Sequence, residues 1–195
     1  MRTPSEIFRI ATLSSALICS ALICAAPPLA AQTIIDPKFG LSVTPPTGYV
    51  AALWTPMPSR NVIIVVQRKE IENAGCIIEF LNSDATGTDT QDDVNARTDN
   101  IETIERLRAE FSARYNIQSI GPIEHAGVRG AAIVGDRRFS DPMSASSIQK
   151  NVREWYVILD TIKGRTTVNC ETYRYDFNSR LPDFDAVVRS IAFPK

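Results

Sequence analysis

Apolar and polar positions along the chain change period several times, and each change marks an element. In FGLSVTPPTGYVAALW, two short apolar stretches flank a turn built from Pro45, Pro46 and Gly48, which predicts a pair of short strands. NVIIVVQRK carries five consecutive apolar residues at 62–66, as expected of a strand covered on both faces. In GCIIEF the two-residue period puts Cys76, Ile78 and Phe80 on one side. Polar, Gly- and Thr-rich NSDATGTDTQDD then reads as a loop.

The period next becomes helical. Ile101, Ile104, Leu107, Phe111 and Tyr115 recur every three or four residues, predicting one long helix from about Asp92 to Tyr115. Thr90 and Asp93 are placed to cap its start. NIQSIGPIEHAG and VRGAAIVGDRRF predict two antiparallel strands, and SDPMSASS a loop. NVREWYVILD, TIKG and RTTVNCETYRY form the strongest hairpin; apolar groups on both of its faces place it mid-sheet. Val168 and Cys170 share a face there, opposite Asn169 and Glu171. A last helix, about Pro182 to Ile191, aligns Phe184, Val187, Val188 and Ile191. Strands, helix, strands and a closing helix predict an α+β fold: an antiparallel β-sheet packed against helices as a sandwich.

The N-terminus is of a different kind. Arg2 and Arg9 precede the apolar run from Ile10 to Ala26, 17 residues broken by Thr and Ser and ended by Pro27 and Pro28. That order of parts predicts a signal peptide over residues 1–31, removed near Ala31, and a single domain over 32–195 in the periplasm or outside the cell. The run falls short of the ~20 apolar residues of a bilayer span. Cys19 and Cys24 lie inside it, each preceded by Ile where a lipobox has a small residue; a retained anchor, a buried helix or a lipid anchor on either cysteine is the alternative to cleavage near Ala31. With Arg2, Glu6 and Arg9 set aside, 19 Lys plus Arg face 21 Asp plus Glu, a balance with no bulk attraction for nucleic acid or acidic lipid.

Export leaves only Cys76 and Cys170, each in a predicted strand, and in an oxidising compartment they are expected to pair. Separate buried thiols and a reactive cysteine are the other readings. A reactive cysteine lacks its supporting residues: there is no CxxC, and His125 is the single histidine. A metal thiolate site would need more soft ligands than two Cys and one His supply. His125 itself, beside Ala126 and Gly127, is expected in a solvated turn. The acidic loop fails the EF-hand spacing, since from Asp84 the ligand places hold Thr86 and Thr88, and Asp89 replaces the glycine. Nucleophile-elbow, zinc-protease, phosphate-loop and dinucleotide motifs are absent, and no cofactor is expected. An acid/base pair drawn from Glu154, Glu171 and Asp160 would make the chain a periplasmic hydrolase.

The opening FGLSVTPPTGYV and the closing GRTTVNCETY with FDAVVRSIAF, joined by this element order over about residues 39–193, resemble the Mog1/PsbP-like fold. That group includes the oxygen-evolving-complex accessory PsbP and bacterial envelope proteins of the DcrB type; Tyr49 stands where the family commonly has Trp. The resemblance implies a small non-catalytic accessory of the cell envelope that binds a larger assembly. Trp155, Tyr156, Tyr173 and Tyr175, with Arg153 and Arg174, concentrate on one ribbon the residue types that enrich binding surfaces, and at least two of these aromatics are expected exposed on one face. Partner identity and oligomeric state stay open.

Overall fold

A computed structural model describes residues 32–54, 62–69, 74–83, 89–98, 100–138 and 151–194. The expected signal segment with Cys19 and Cys24, the loop residues 84–88 and the loop SDPMSASS lie outside the described residues.

The strands are β1 (Ile34–Ile35), β2 (Ser42–Val43), β3 (Tyr49–Leu53), β4 (Val62–Arg68), β5 (Gly75–Asn82), β6 (Tyr115–His125), β7 (Val128–Arg137), β8 (Val152–Thr161) and β9 (Gly164–Tyr173). The helices are α1 (Gln91–Thr98), α2 (Ile101–Ser112) and α3 (Phe177–Arg189). Strands β3 to β9 form one sheet in the order β3-β4-β5-β9-β8-β7-β6, antiparallel at every step, and β1 pairs with β2 separately. The fold is therefore α+β, with the 152–173 hairpin in the middle of the sheet as its two apolar faces require.

Two cores flank the sheet. On one face Val66, Cys76, Ile78, Phe80, Val157, Leu159 and Val168 meet Phe184, Val187 and Val188 of α3 and the β1-β2 region at Leu41 and Val43. On the other, Ala131, Ile133 and Ile158 meet Leu107 and Phe111 of α2. The second core is smaller because of topology. Strands β5 and β6 are consecutive in the chain but stand apart in the sheet, so the connection carrying α1 and α2 crosses to the β6 edge and covers β6, β7 and β8.

Cys76 and Cys170 face each other across β5 and β9 and are joined by a disulfide. That seam separates the β3-β4-β5 half of the sheet from the β9-β8-β7-β6 half, so the bond fastens the early strands to the late ones.

Several expectations are corrected. The long helix is two helices. Thr90 and Asp93 do cap its start, through Thr90 N donating to Asp93 Oδ2 at 2.8 Å and Asp93 N donating to Thr90 Oγ1 at 3.3 Å. At Asn100, however, a second helix begins: the Asn100 side chain accepts from Thr103 N at 2.7 Å. Ile101, assigned to the apolar stripe, is 80% exposed beside this cap, while Tyr115 belongs to β6 and not to the helix. The last helix starts at Phe177, with Pro182 inside it, because Phe177 is buried against Phe184 and draws the preceding turn into the helix. His125 closes β6 and is buried; its Nε2 lies 2.7 Å from the Ile191 carbonyl and its ring packs on Phe193, so it is no solvated turn residue.

Candidate functional site

The half of the sheet that α1 and α2 leave open is the largest departure from a fully covered sandwich. Pairing in register lines Ala52, Val65, Ile77, Asn169, Tyr156 and Ile133 across the sheet on the α2 side. Tyr156 lies under the helix, 5.0 Å from the Phe111 ring, and Ile133 is buried with it. Towards β3 the row emerges. Val50, Trp54 and Ile77 are 45%, 58% and 39% exposed, and Ala52 is exposed between them. A depression of about 380 Å³ runs over Val50, Ala52, Trp54, Val65, Gln67 and Ile77. A second, of about 330 Å³, shares Val65, Gln67 and Ile77 with it and ends at Arg137, Asn169 and Glu171. Together they make one groove, apolar at the β3 end and polar where it reaches β9.

Where the helices pack explains the opening: α2 lies against β6, and α1 against β7 and β8.

The polar end is organised around Glu154, whose side chain is 1% exposed. Its Oε2 accepts from Tyr115 Oη at 2.8 Å and from Asn169 Nδ2 at 3.0 Å, and its Oε1 pairs with Arg137. Tyr115 is on β6 and Glu154 on β8, so the tyrosine must reach across β7. It crosses at Gly135, the register partner of Glu154, where an added Cβ would lie 3.0 Å from Tyr115 Cβ. Burial first, then the Glu154 charge, pushes the Tyr115 hydroxyl up to about 12. Burial works against the Arg137 guanidinium, but Glu154, Tyr115 and Glu171 outweigh it and raise its pKa.

Glu171 stands opposite Glu154 in register, half exposed, with Arg137 3.7 Å away. Burial and the Glu154 charge raise its carboxyl against Arg137. Asn169 donates its amide nitrogen to Glu154, which leaves its Oδ1 buried without a hydrogen-bond partner.

The residues singled out in the sequence divide. Trp155 is buried in the core on the α3 side, and Arg153 lies above the Phe177 ring at 5.7 Å with its Nε 2.8 Å from Asp136 Oδ1. Arg174 reaches the same Asp136 oxygen at 3.4 Å. Tyr156 is half-buried under α2, whereas Tyr173 is half-buried and stacks at 5.2 Å on Tyr175, which is 77% exposed. The ribbon is thus not one surface: strand alternation sends Arg153 and Trp155 to one side of the sheet and Tyr156 and Tyr173 to the other. The acidic trio divides too. Asp160 is held by Arg165 at 2.7 and 2.9 Å, six residues along β8 and about 20 Å from Glu154. Glu154, with both oxygens engaged by Tyr115, Asn169 and Arg137, is built as an anchor for its neighbours.

Sequence reasoning missed Tyr115, Arg137 and Asn169 as a group and the strip from Val50 to Ile77. The available signal was Gly135 in a strand, a place where another group approaches closely, together with apolar residues on both faces of β4 and too little helix to cover them.

No family model and no curated protein matches the chain. Solved structures do. The solution structure of cyanobacterial PsbP (CyanoP) from Synechocystis sp. PCC 6803 superposes with a TM-score of 0.53 at 13% identity, over 87% of this chain and 96% of that one. The fold is PsbP-like. A crystal structure from Bacteroides thetaiotaomicron gives a TM-score of 0.45 at 7% identity over 86% of this chain and 50% of that one, a likeness that carries no weight. Among the described residues, no helix of this PsbP-like fold is long and apolar enough to cross a membrane.

Proposed function

We propose that this is an exported, non-catalytic accessory protein of the bacterial cell envelope, which acts by holding a protein partner on the open half-face of its sheet. The observation that carries the reading is the exposed strip of Val50, Ala52, Trp54 and Ile77, continuous along one groove on a sheet whose other half is covered. Exposed apolar surface of this continuity, rimmed by polar groups, is characteristic of protein contact sites. Tyr173 and Tyr175 add stacked rings to the β9 side of that face, and they are what remains of the aromatic ribbon as contact area. The Cys76–Cys170 disulfide and the N-terminal segment support export to an oxidising compartment.

The test is site-specific photo-crosslinking in intact cells, with the crosslinker placed at Ala52, at Ile77 and, as a control, at the exposed Ile101. A discrete heavier product from positions 52 and 77 but not from 101 is expected. No product from either, or the same product from all three, overturns the reading. The intact mass of the recovered protein, before and after reduction, reports in the same sample whether the chain begins near Gln32 and carries its disulfide.

A further inference from the structure

The groove has a chemical direction. Its β3 end is apolar, and among the described residues the ionisable ones that line it are Arg137 and Glu171, with the buried Glu154 behind them. Two carboxylates against one guanidinium leave one negative charge, and Glu171 is the member that reaches the surface. Beside it lies Asn169 Oδ1, buried and without a partner. Its orientation is fixed, because turning the amide over would set its oxygen against the Glu154 carboxylate that now accepts from its nitrogen. Sealed beneath the surface, that oxygen is closed to an outside donor, and what the polar end presents to a partner is the Glu171 charge.

The dimensions favour a peptide segment. From Ala52 through Val65 and Ile77 to Asn169 the row takes three strand-to-strand steps, about 14 Å at ~4.8 Å each. Four extended residues cover the same distance at ~3.3–3.6 Å each. An ammonium suits the far end better than a guanidinium. It is compact, and Arg137 already occupies one side of the Glu171 carboxylate. A lysine's methylene stem would lie along Ile77 while its head stays at the carboxylate.

Resting on the reading of this half-face as the docking surface, we infer that the occupant is an extended segment of a partner protein with a lysine at one end. Its ammonium sits at the Glu171 carboxylate, and its aliphatic residues cover Ile77, Val65 and Ala52. Charge complementarity at this half-exposed carboxylate specifies this partner over an acidic or purely apolar one.

The experiment selects binders from a random peptide library displayed on phage, using the intact oxidised protein, then synthesises the strongest peptide with lysine and with norleucine in its place. Expected are sequences with lysine beside aliphatic residues, affinity about fivefold weaker for norleucine and for Glu171→Gln, and loss of binding in Glu171→Lys. Thermal melts confirm that the three variants, Glu171→Gln, Glu171→Lys and Ala52→Arg, all at exposed positions, remain folded. Peptides that bind without preference for a cation and are lost in Ala52→Arg overturn the lysine inference while leaving the docking surface standing. Peptides indifferent to Ala52→Arg and Glu171→Lys alike, or a selection that returns no binder, overturn both.

Discussion

The Cys76–Cys170 bond closes a loop with a sequence separation of 94 residues, which makes its removal the perturbation with the largest worked magnitude. In the Cys76→Ala, Cys170→Ala double variant the unfolded chain regains the freedom that the cross-link denied it, about 4.7 kcal/mol by chain-entropy reckoning. The folded state changes little. Both sulfurs are buried, and the β5-β9 ladder that flanks them is maintained by register pairs from Gly75–Glu171 to Asn82–Gly164. In a domain of this size each kcal/mol is worth about 2–4 °C, so the melting temperature should fall by roughly 10–20 °C. Urea unfolding of the wild-type and variant proteins is the assay. The slope of stability against urea should also rise, because an unfolded chain without the cross-link exposes more surface. Hydrogen exchange adds location: amides of β4 and β5 should exchange sooner than those of β7 and β8, since the seam they share with β9 has lost its clamp. A stability loss under about 1 kcal/mol with an unchanged slope would refute the reasoning, because the cross-link would then constrain nothing in the unfolded chain.

Other expectations concern the groups behind the groove. Arg137→Met should cost about 2–3 kcal/mol, because it leaves Glu154 buried with one charged partner fewer, and adding Glu154→Gln should return at least ~1 kcal/mol of that in a double-mutant cycle read by urea unfolding. Additive costs would mean that the ion pair contributes nothing of its own. Gly135→Val should displace the Tyr115 ring and break its bond to Glu154, at a cost of about 1.5–3 kcal/mol, and of the two tyrosines pushed up to about 12, Tyr49 and Tyr115, one should return towards 10 in an ultraviolet pH titration. Glu171 carries a folded-state pKa above its ordinary 4.5, so its share of stability is complete below 4.5 and is lost as pH rises through the folded value. Glu171→Gln should therefore flatten the decline in stability above pH 4.5, and urea midpoints at several pH values that run parallel for the two proteins would contradict the burial argument.

Much of the fold was legible because it rests on local period. The 152–173 hairpin has apolar groups on both faces, and any strand of that kind must lie inside a covered sheet. The inward side of Cys76, with Ile78 and Phe80, and of Cys170, with Val168, followed from the two-residue repeat, and the disulfide joins those two sides. The helix break at Asn100 was less visible, since the three-to-four repeat of Ile104, Leu107 and Phe111 continues without regard to a cap just upstream. His125 was misjudged because the residues that bury it, Ile191 and Phe193, are far away in sequence.

The candidate site was legible only in fragments. Trp155 and Tyr156 are neighbours in the chain and lie on opposite sides of the sheet, so their proximity in sequence meant separation in space. Tyr115, Arg137, Glu154 and Asn169 come from four strands and meet only because the sheet runs β9-β8-β7-β6.

By itself, then, the sequence determined most of the elements, the faces they bury and the pairing of Cys76 with Cys170, because periodicity and composition act over a few residues or through the simplest count. Strand order was decided by tertiary structure alone. That order sent α1 and α2 across to the β6 edge, left Val50, Ala52, Trp54 and Ile77 uncovered, and set Glu171 opposite Glu154. No local pattern encodes which half of a sheet a helix will reach, since that depends on where the chain must go next.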